Sequence, residues 1–397
     1  MSSRPHREAV TALVSPEPGE APPRVPGKRG RLEAVDAARG TVMMFVFLAH
    51  FADAYLYPLG GAAEHLRERL YLLTMMASPG FMLISGLMLG LLYARRRGRF
   101  APLRRQLQRR ALFLLTVGHL VIVPTYRLWA EHPWWAVRVM PVTDTIGLAL
   151  LLGPFVISRL SARARAVLGL LLFAGSWALS LGWWPEAMPL RLLKEVLFGQ
   201  RELSVLLTCF PVVPWFGVYL GGTVLGEWLG TSPRTEEVAG RFQRVGLLAG
   251  TLGVLLVGLH MVMKRVGGGL LGQDLFGALY SLTSHSQKYP PGPAYVALYG
   301  GASLSTLGLL MRAEQTGVLT RYLRWAAVVG RHSLMAFMLQ YYVYYVGIHA
   351  LRLPYFRLWP LLFVATVAVL WAVLWTWDAR EAGARQPEPL PTTGGRA

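Results

Sequence analysis

The 397-residue chain is 54% apolar and only 15% charged, with a mean hydropathy of +0.40. Soluble domains carry about 25% charged residues, so this composition excludes an ordinary soluble enzyme and predicts an all-α, polytopic integral membrane bundle. The net charge of +19 would suit nucleic acid, but the topology below accounts for it without one, and the lone Cys209 excludes an intramolecular disulfide or a thiolate metal cluster.

Residues 1–38 are rich in Pro, Arg and Glu and lack an apolar signal core, so they read as a disordered cytosolic tail. A transmembrane domain is expected over 39–378, and 379–397 forms a second polar tail. Ten apolar stretches are long enough to cross a hydrocarbon core of about 30 Å. They fall near 40–58, 72–94, 111–128, 141–158, 165–183, 204–229, 245–263, 293–311, 333–350 and 358–377. With the N-terminus inside, 28 of the 40 basic residues lie in cytoplasmic segments and 12 in the opposite loops. That asymmetry satisfies the positive-inside rule and puts both termini in the cytoplasm.

The long connection 264–292 leaves room for a re-entrant piece. Trp134, Trp135, Trp183 and Trp184 fall at outer helix ends, as an aromatic belt requires. Gly86 and Gly90, Gly217 and Gly221, and Gly222 and Gly226 are small residues four apart, a spacing that lets helices approach closely. Pro211 and Pro214 are expected to kink the sixth span. Lysines are scarce while Ala, Leu and Gly abound, which fits a GC-rich bacterial genome and hence a bacterial inner membrane.

The first span carries a line of ionisable groups, which are expensive in a bilayer and so mark a candidate site. At 100° per residue, the offset from Arg39 to His50 is three turns and about 20°, so both share one helix face, about 16 Å apart. Asp53 follows at i+3 and is expected to hold one ring nitrogen of His50. The other nitrogen is then left to take a proton from an attacking amine or hydroxyl. The competing reading is a histidine bonded to a neighbouring helix. Asp36 and Arg39 either pair with each other or leave the arginine to grip a phosphate or carboxylate.

The basic run from Arg95 to Arg110 is a topology determinant and a ligand for anionic lipid, or it collects a polyanionic cytosolic donor through Arg109 and Arg110. His119, His260 and His349 lack a carboxylate on their own helix and read as packing residues. Asp144 either caps the fourth span or lines an outer vestibule. Lys288 and Tyr289, in the loop before the eighth span, face the outer mouth or form a turn with a snorkelling lysine. No P-loop, dinucleotide fingerprint, zinc-protease motif or nucleophile elbow is present, so no metal is expected.

Several of these segments resemble a known group. Arg31, Asp36, Arg39-Gly40 and His50 are similar to the first-helix signature of the transmembrane acyltransferase superfamily. Phe81 to Gly86 looks like its second-helix element, and Pro211 to Gly217, with Trp215, like its Pro-Trp-Gly helix. Lys288-Tyr289-Pro290-Pro291 resembles a motif of bacterial heparan-α-glucosaminide N-acetyltransferase-like proteins. Gly330-Arg331-His332-Ser333-Leu334 resembles the group's late element. The resemblance spans about residues 31–345, and it departs at Gln340, where many members carry histidine.

It implies an acyl-CoA co-substrate, acetyl-CoA by preference, reached from the cytosol, and a sugar or glycan acceptor on the far side. His50 would be the catalytic histidine, as base or transient acyl carrier, assisted by Asp53. Arg39, Asp36, Arg109 and Arg110 would serve the donor, and Asp144, Lys288, Tyr289 and Trp215 the acceptor. Expected partners are membrane lipid, the donor and the acceptor, with no nucleic acid and with a homodimer left open. The alternative is a transporter or flippase of a small anion or lipid-linked sugar using the same polar stripe. A non-catalytic structural or sensory protein is the third reading.

Overall fold

The computed structural model describes residues 32–127, 138–199, 207–208, 210–267, 273–351 and 353–384. Both expected tails, apart from their inner edges, and Trp134, Trp135 and Cys209 lie outside the described residues. The apolar stretches form helices. In chain order these are α1 (Glu33–Phe51), α2 (Gly61–Thr74), α3 (Ala77–Arg95), α4 (Phe100–Phe113) and α5 (His119–Arg127). Then come α6 (Val142–Arg159), α7 (Ala162–Gly182), α8 (Met188–Leu197), α9 (Val212–Thr231), α10 (Thr235–Val266) and α11 (Gln273–Thr283). The last are α12 (Pro293–Thr316), α13 (Thr320–Arg331), α14 (Ser333–Leu351) and α15 (Trp359–Ala384).

Nine helical segments among the described residues are long and apolar enough to cross a membrane. The expected span outside those nine is the sixth, which corresponds to α9 and is interrupted by glycines, threonines and Glu227. It can afford them because it lies inside the bundle, packed between α3 and α7. Its prolines open the helix instead of kinking it: Pro211 is the N-cap and Pro214 lies in the first turn, where a missing N–H costs nothing. The outer helices carry the lipid-facing surface. Leu248 on α10 and Leu361 on α15 are 72% and 67% exposed, as bilayer contact demands.

Small residues decide which helices touch. A Cβ on Gly86 or Gly90 would collide with the backbone carbonyls of Tyr219 and Thr223, and one on Gly222 or Gly226 with those of Leu83 and Leu87. The α3–α9 crossing is therefore backbone against backbone, as the spacing predicts. α1 and α13 meet in the same way through Gly40 and Gly330. A Cβ on Gly221 would meet open space, so within the Gly217–Gly221 pair it is Gly217 that makes the tight approach, against Gly169 of α7.

Glu33 onward packs as one compact unit. The first helix starts within the expected tail, so Asp36 and Arg39 sit in its first turns, and α15 runs past 378. The 264–292 connection holds α11, and a two-residue parallel pairing joins Val139–Met140 to Leu207–Thr208. Four π-helical segments interrupt the described helices: Ala52–Leu56, Leu114–Gly118, Val296–Gly300 and Tyr342–Ile348. Such segments cluster at functional sites. Two of the four border the cavity described next.

Candidate active site

α1 and α14 lie side by side and contact each other at two levels. At one end Arg39 donates to Ser333 Oγ at 2.5 Å. Further along, His50 Nδ1 meets Gln340 Oε1 at 2.8 Å. Eleven residues on one helix thus match seven on the other, and both α1 side chains face the same partner, in keeping with the common face read from their spacing.

Gln340 is fully buried and donates from Nε2 to the carbonyl of Phe337 at 3.1 Å. That second bond fixes which way the amide points. Its oxygen faces His50, so Nδ1 must carry the proton and donate, and Nε2 keeps its lone pair. A neutral amide therefore sets the tautomer. Around the imidazole stand Phe337, Tyr341 and Tyr345, with ring centroids 6.3, 4.8 and 5.5 Å away. Their four-residue spacing keeps them on one face of α14 as it passes into its π segment.

The expected role of Asp53 needs correction. Its Oδ1 accepts from Arg67 of α2 at 3.1 Å, so Asp53 faces Arg67 while Gln340 holds the imidazole. The cause is the π segment, whose i→i+5 bonding begins immediately after Phe51 and turns Asp53 away from the i+3 position of a regular helix. Asp53 still lines the same cavity as His50.

That cavity, of about 240 Å³, is bounded by His50, Asp53, Tyr71, Phe210, Lys288 and Tyr289, among others. Lys288 reaches it from the turn before α12, which is closed by Gly292 N–H donating to the Gln287 carbonyl at 2.7 Å. Its ammonium lies 5.1 Å from the Tyr289 ring and 5.7 Å from both Tyr71 and Phe210. Three aromatic faces hold the charge in place. His285, three residues earlier, has its imidazole pushed down by burial, with Lys264 adding to the effect.

A second cavity, of about 130 Å³, lies at the Arg39 end and is bounded by Arg39, Arg110, Ser333, Leu107 and Met88, among others. Phe81 and Phe337 line both cavities, and the consecutive residues Val142 and Thr143 line one each. The space between Arg39 and His50 is thus two chambers that abut at a pair of phenylalanine rings.

Other candidates fall outside these chambers. Arg109 is exposed and, unlike Arg110, borders neither; Asp36 is buried at the α1–α13 contact. Trp215 is fully buried behind the cavity wall, packing on Phe210 (5.5 Å) and Tyr295 (6.4 Å), so it supports a lining residue without being one. Asp144 lies in the first turn of α6 without capping it. It binds His119 Nδ1 at 2.8 Å instead, giving that histidine a cross-helix carboxylate that sequence spacing could not show.

The late motif is explained piece by piece. Gly330 admits α1, Arg331 and His332 grip Asp378 of α15 (2.6–2.9 Å), and Ser333 receives Arg39. The bond to Asp378 raises the proton affinity of the Arg331 guanidinium further.

Compared with known families, the profile of the heparan-alpha-glucosaminide N-acetyltransferase catalytic domain matches residues 31–262, more than half of the chain. The chain belongs to that family. A comparison with curated proteins returns no match. Membership, together with the nine apolar helices, makes this an integral multi-pass membrane protein of an acetyltransferase family. The matched span contains Arg39, His50, Asp53 and Phe81. Lys288, Ser333, Phe337 and Gln340 lie beyond it, so the family match covers most of the lining of each chamber and the C-terminal part of the chain supplies the rest.

Proposed function

We propose that the protein transfers an acyl group, acetyl by preference, from cytosolic acyl-CoA to a sugar or glycan acceptor on the opposite side of the membrane, with both termini in the cytoplasm. The observation that carries this reading is the His50–Gln340 pair: Gln340 engages Nδ1, which leaves Nε2 as the basic nitrogen of a histidine that lines a cavity of sugar-sized dimensions. Arg39 and Arg110 flank the other chamber, where a guanidinium meets phosphate or carboxylate with a bidentate bond. The thioester would pass between the Phe81 and Phe337 rings toward His50.

Chemically the step needs one base. The acceptor amine or hydroxyl attacks the thioester carbonyl while His50 Nε2 takes its proton. The tetrahedral intermediate then expels the CoA thiolate, which recovers a proton from the imidazolium. Gln340 Oε1 accepts from Nδ1–H throughout and becomes a stronger acceptor once the ring is charged. Labelled acetyl-CoA, purified protein in a bilayer and a panel of glycan acceptors test the proposal. Label is expected in the acceptor, and His50→Ala should abolish it. Uptake of sugar into liposomes with no covalent change would overturn it in favour of transport.

A further inference from the structure

We infer that the acceptor carries an anionic group, a carboxylate or a phosphate, which Lys288 seats beside His50; this inference rests on the acyltransferase reading.

The charges at the cavity do not cancel. Asp53 is hydrogen-bonded by Arg67, which itself lies 5.1 Å over the Tyr57 ring, so that carboxylate is matched by its own guanidinium. Gln340 engages His50 without adding charge. Lys288 is left, held by three rings, with no carboxylate within ion-pair distance among the described residues. Aromatic faces steady an ammonium but accept hydrogen bonds weakly, so its N–H donors lack a strong acceptor among the described residues. Keeping a half-buried, positioned cation against a cavity wall is costly unless something anionic arrives there.

The size of the chamber limits what that can be. At about 240 Å³ it lies just under the ~300 Å³ at which ligand pockets begin, so it takes about one sugar-sized group. An acceptor whose carboxylate or phosphate meets Lys288 has its neighbouring hydroxyl or amine oriented by that contact, and His50 lines the same space. The donor's phosphates are drawn to the opposite chamber, where Arg39 and Arg110 lie. Each anion therefore has its own cation.

Methyl glucoside, methyl glucuronide and methyl glucoside 6-phosphate form a matched set of probes, used on the full chain in lipid nanodiscs. Binding is read by thermal shift and transfer by label from acetyl-CoA. At least one charged probe should bind at a concentration at least tenfold below that of the neutral one, and which of the two does so identifies the anion. Lys288→Met should erase the advantage and Lys288→Arg should keep most of it.

Equal binding of all three probes overturns the inference, as does an advantage that survives Lys288→Met or displacement of the charged probes by free CoA. Selective binding with no transfer of label from acetyl-CoA to any acceptor would instead overturn the acyltransferase reading. Transfer that ignores acceptor charge would do the reverse.

Discussion

The chamber at His50 is bordered by an imidazole, a carboxylate and an ammonium, whereas the one at Arg39 is walled by Leu89, Leu92, Leu107, Leu114 and Met88, with Arg39 and Arg110 as its cations. Both are built on α1 and α14, and each is anchored by one α1–α14 hydrogen bond. The bond at Arg39 joins a permanent charge to a hydroxyl, and in the proposed reaction that charge faces the donor's anion. The bond at His50 joins two groups whose protons can be assigned and leaves a base. Under the proposed function, one pair of helices divides the transfer into a recognition end and a chemical end.

Crossed substitutions put the largest strain on that division. His50→Ala removes the base and should lower kcat by about 10²–10⁴-fold, with little change in the KM for acyl-CoA. Arg39→Met removes a charge-assisted contact and should raise the KM for acyl-CoA by about tenfold to a hundredfold, with the KM for the acceptor nearly unchanged. Arg39→Lys tests whether charge alone suffices. If both substitutions moved the same parameter, the two chambers would be one site. A thermal melt of each variant separates these effects from loss of the Arg39–Ser333 bond.

How far this division could be read beforehand follows from the kind of information each part needs. The spans, the shared face of Arg39 and His50 and the glycine crossings depend on periodicity within one segment, and periodicity is visible in a single chain. The partner of His50 is not, because Gln340 is 290 residues away and becomes its neighbour only when α14 docks on α1. The same holds for His119 with Asp144 and Arg331 with Asp378. Asp53 failed for a local reason: a π segment has no mark in the sequence, so the regular-helix rule put its carboxylate on the wrong neighbour. The aromatic trio Phe337, Tyr341 and Tyr345 has i, i+4, i+8 spacing but is not singled out by the sequence, because nothing in that spacing distinguishes a histidine's surroundings from ordinary packing.

Gln340 offers the next sharper test, because it acts through His50 and not on substrate. Gln340→Leu keeps the volume and removes the acceptor for Nδ1–H, so the ring loses its fixed tautomer. We expect kcat to fall by about tenfold, the worth of one buried hydrogen bond, with little effect on either KM. Gln340→Glu places an anion beside the ring, and an anion favours the imidazolium. The base form then persists only at higher pH, so the acid limb of the pH–rate profile should move upward by about one unit. A merely structural glutamine would change stability and leave that limb where it is.

The smallest expected effect concerns the wall between the chambers. Phe81 is half-buried and its ring borders both spaces, so it limits how freely water and substrate pass. Phe81→Ala should widen the passage and let water reach the thioester, raising acetyl-CoA hydrolysis in the absence of acceptor by a few-fold, while Phe81→Leu should give a smaller increase. Phe337 contributes the other ring, but it also supplies the carbonyl that orients Gln340. That carbonyl belongs to the backbone, so Phe337→Leu should raise hydrolysis as Phe81→Leu does without shifting the acid limb. Hydrolysis unchanged in all three variants would mean that the rings fill space and do not divide it. The contrast between the chambers would then rest on their charges alone.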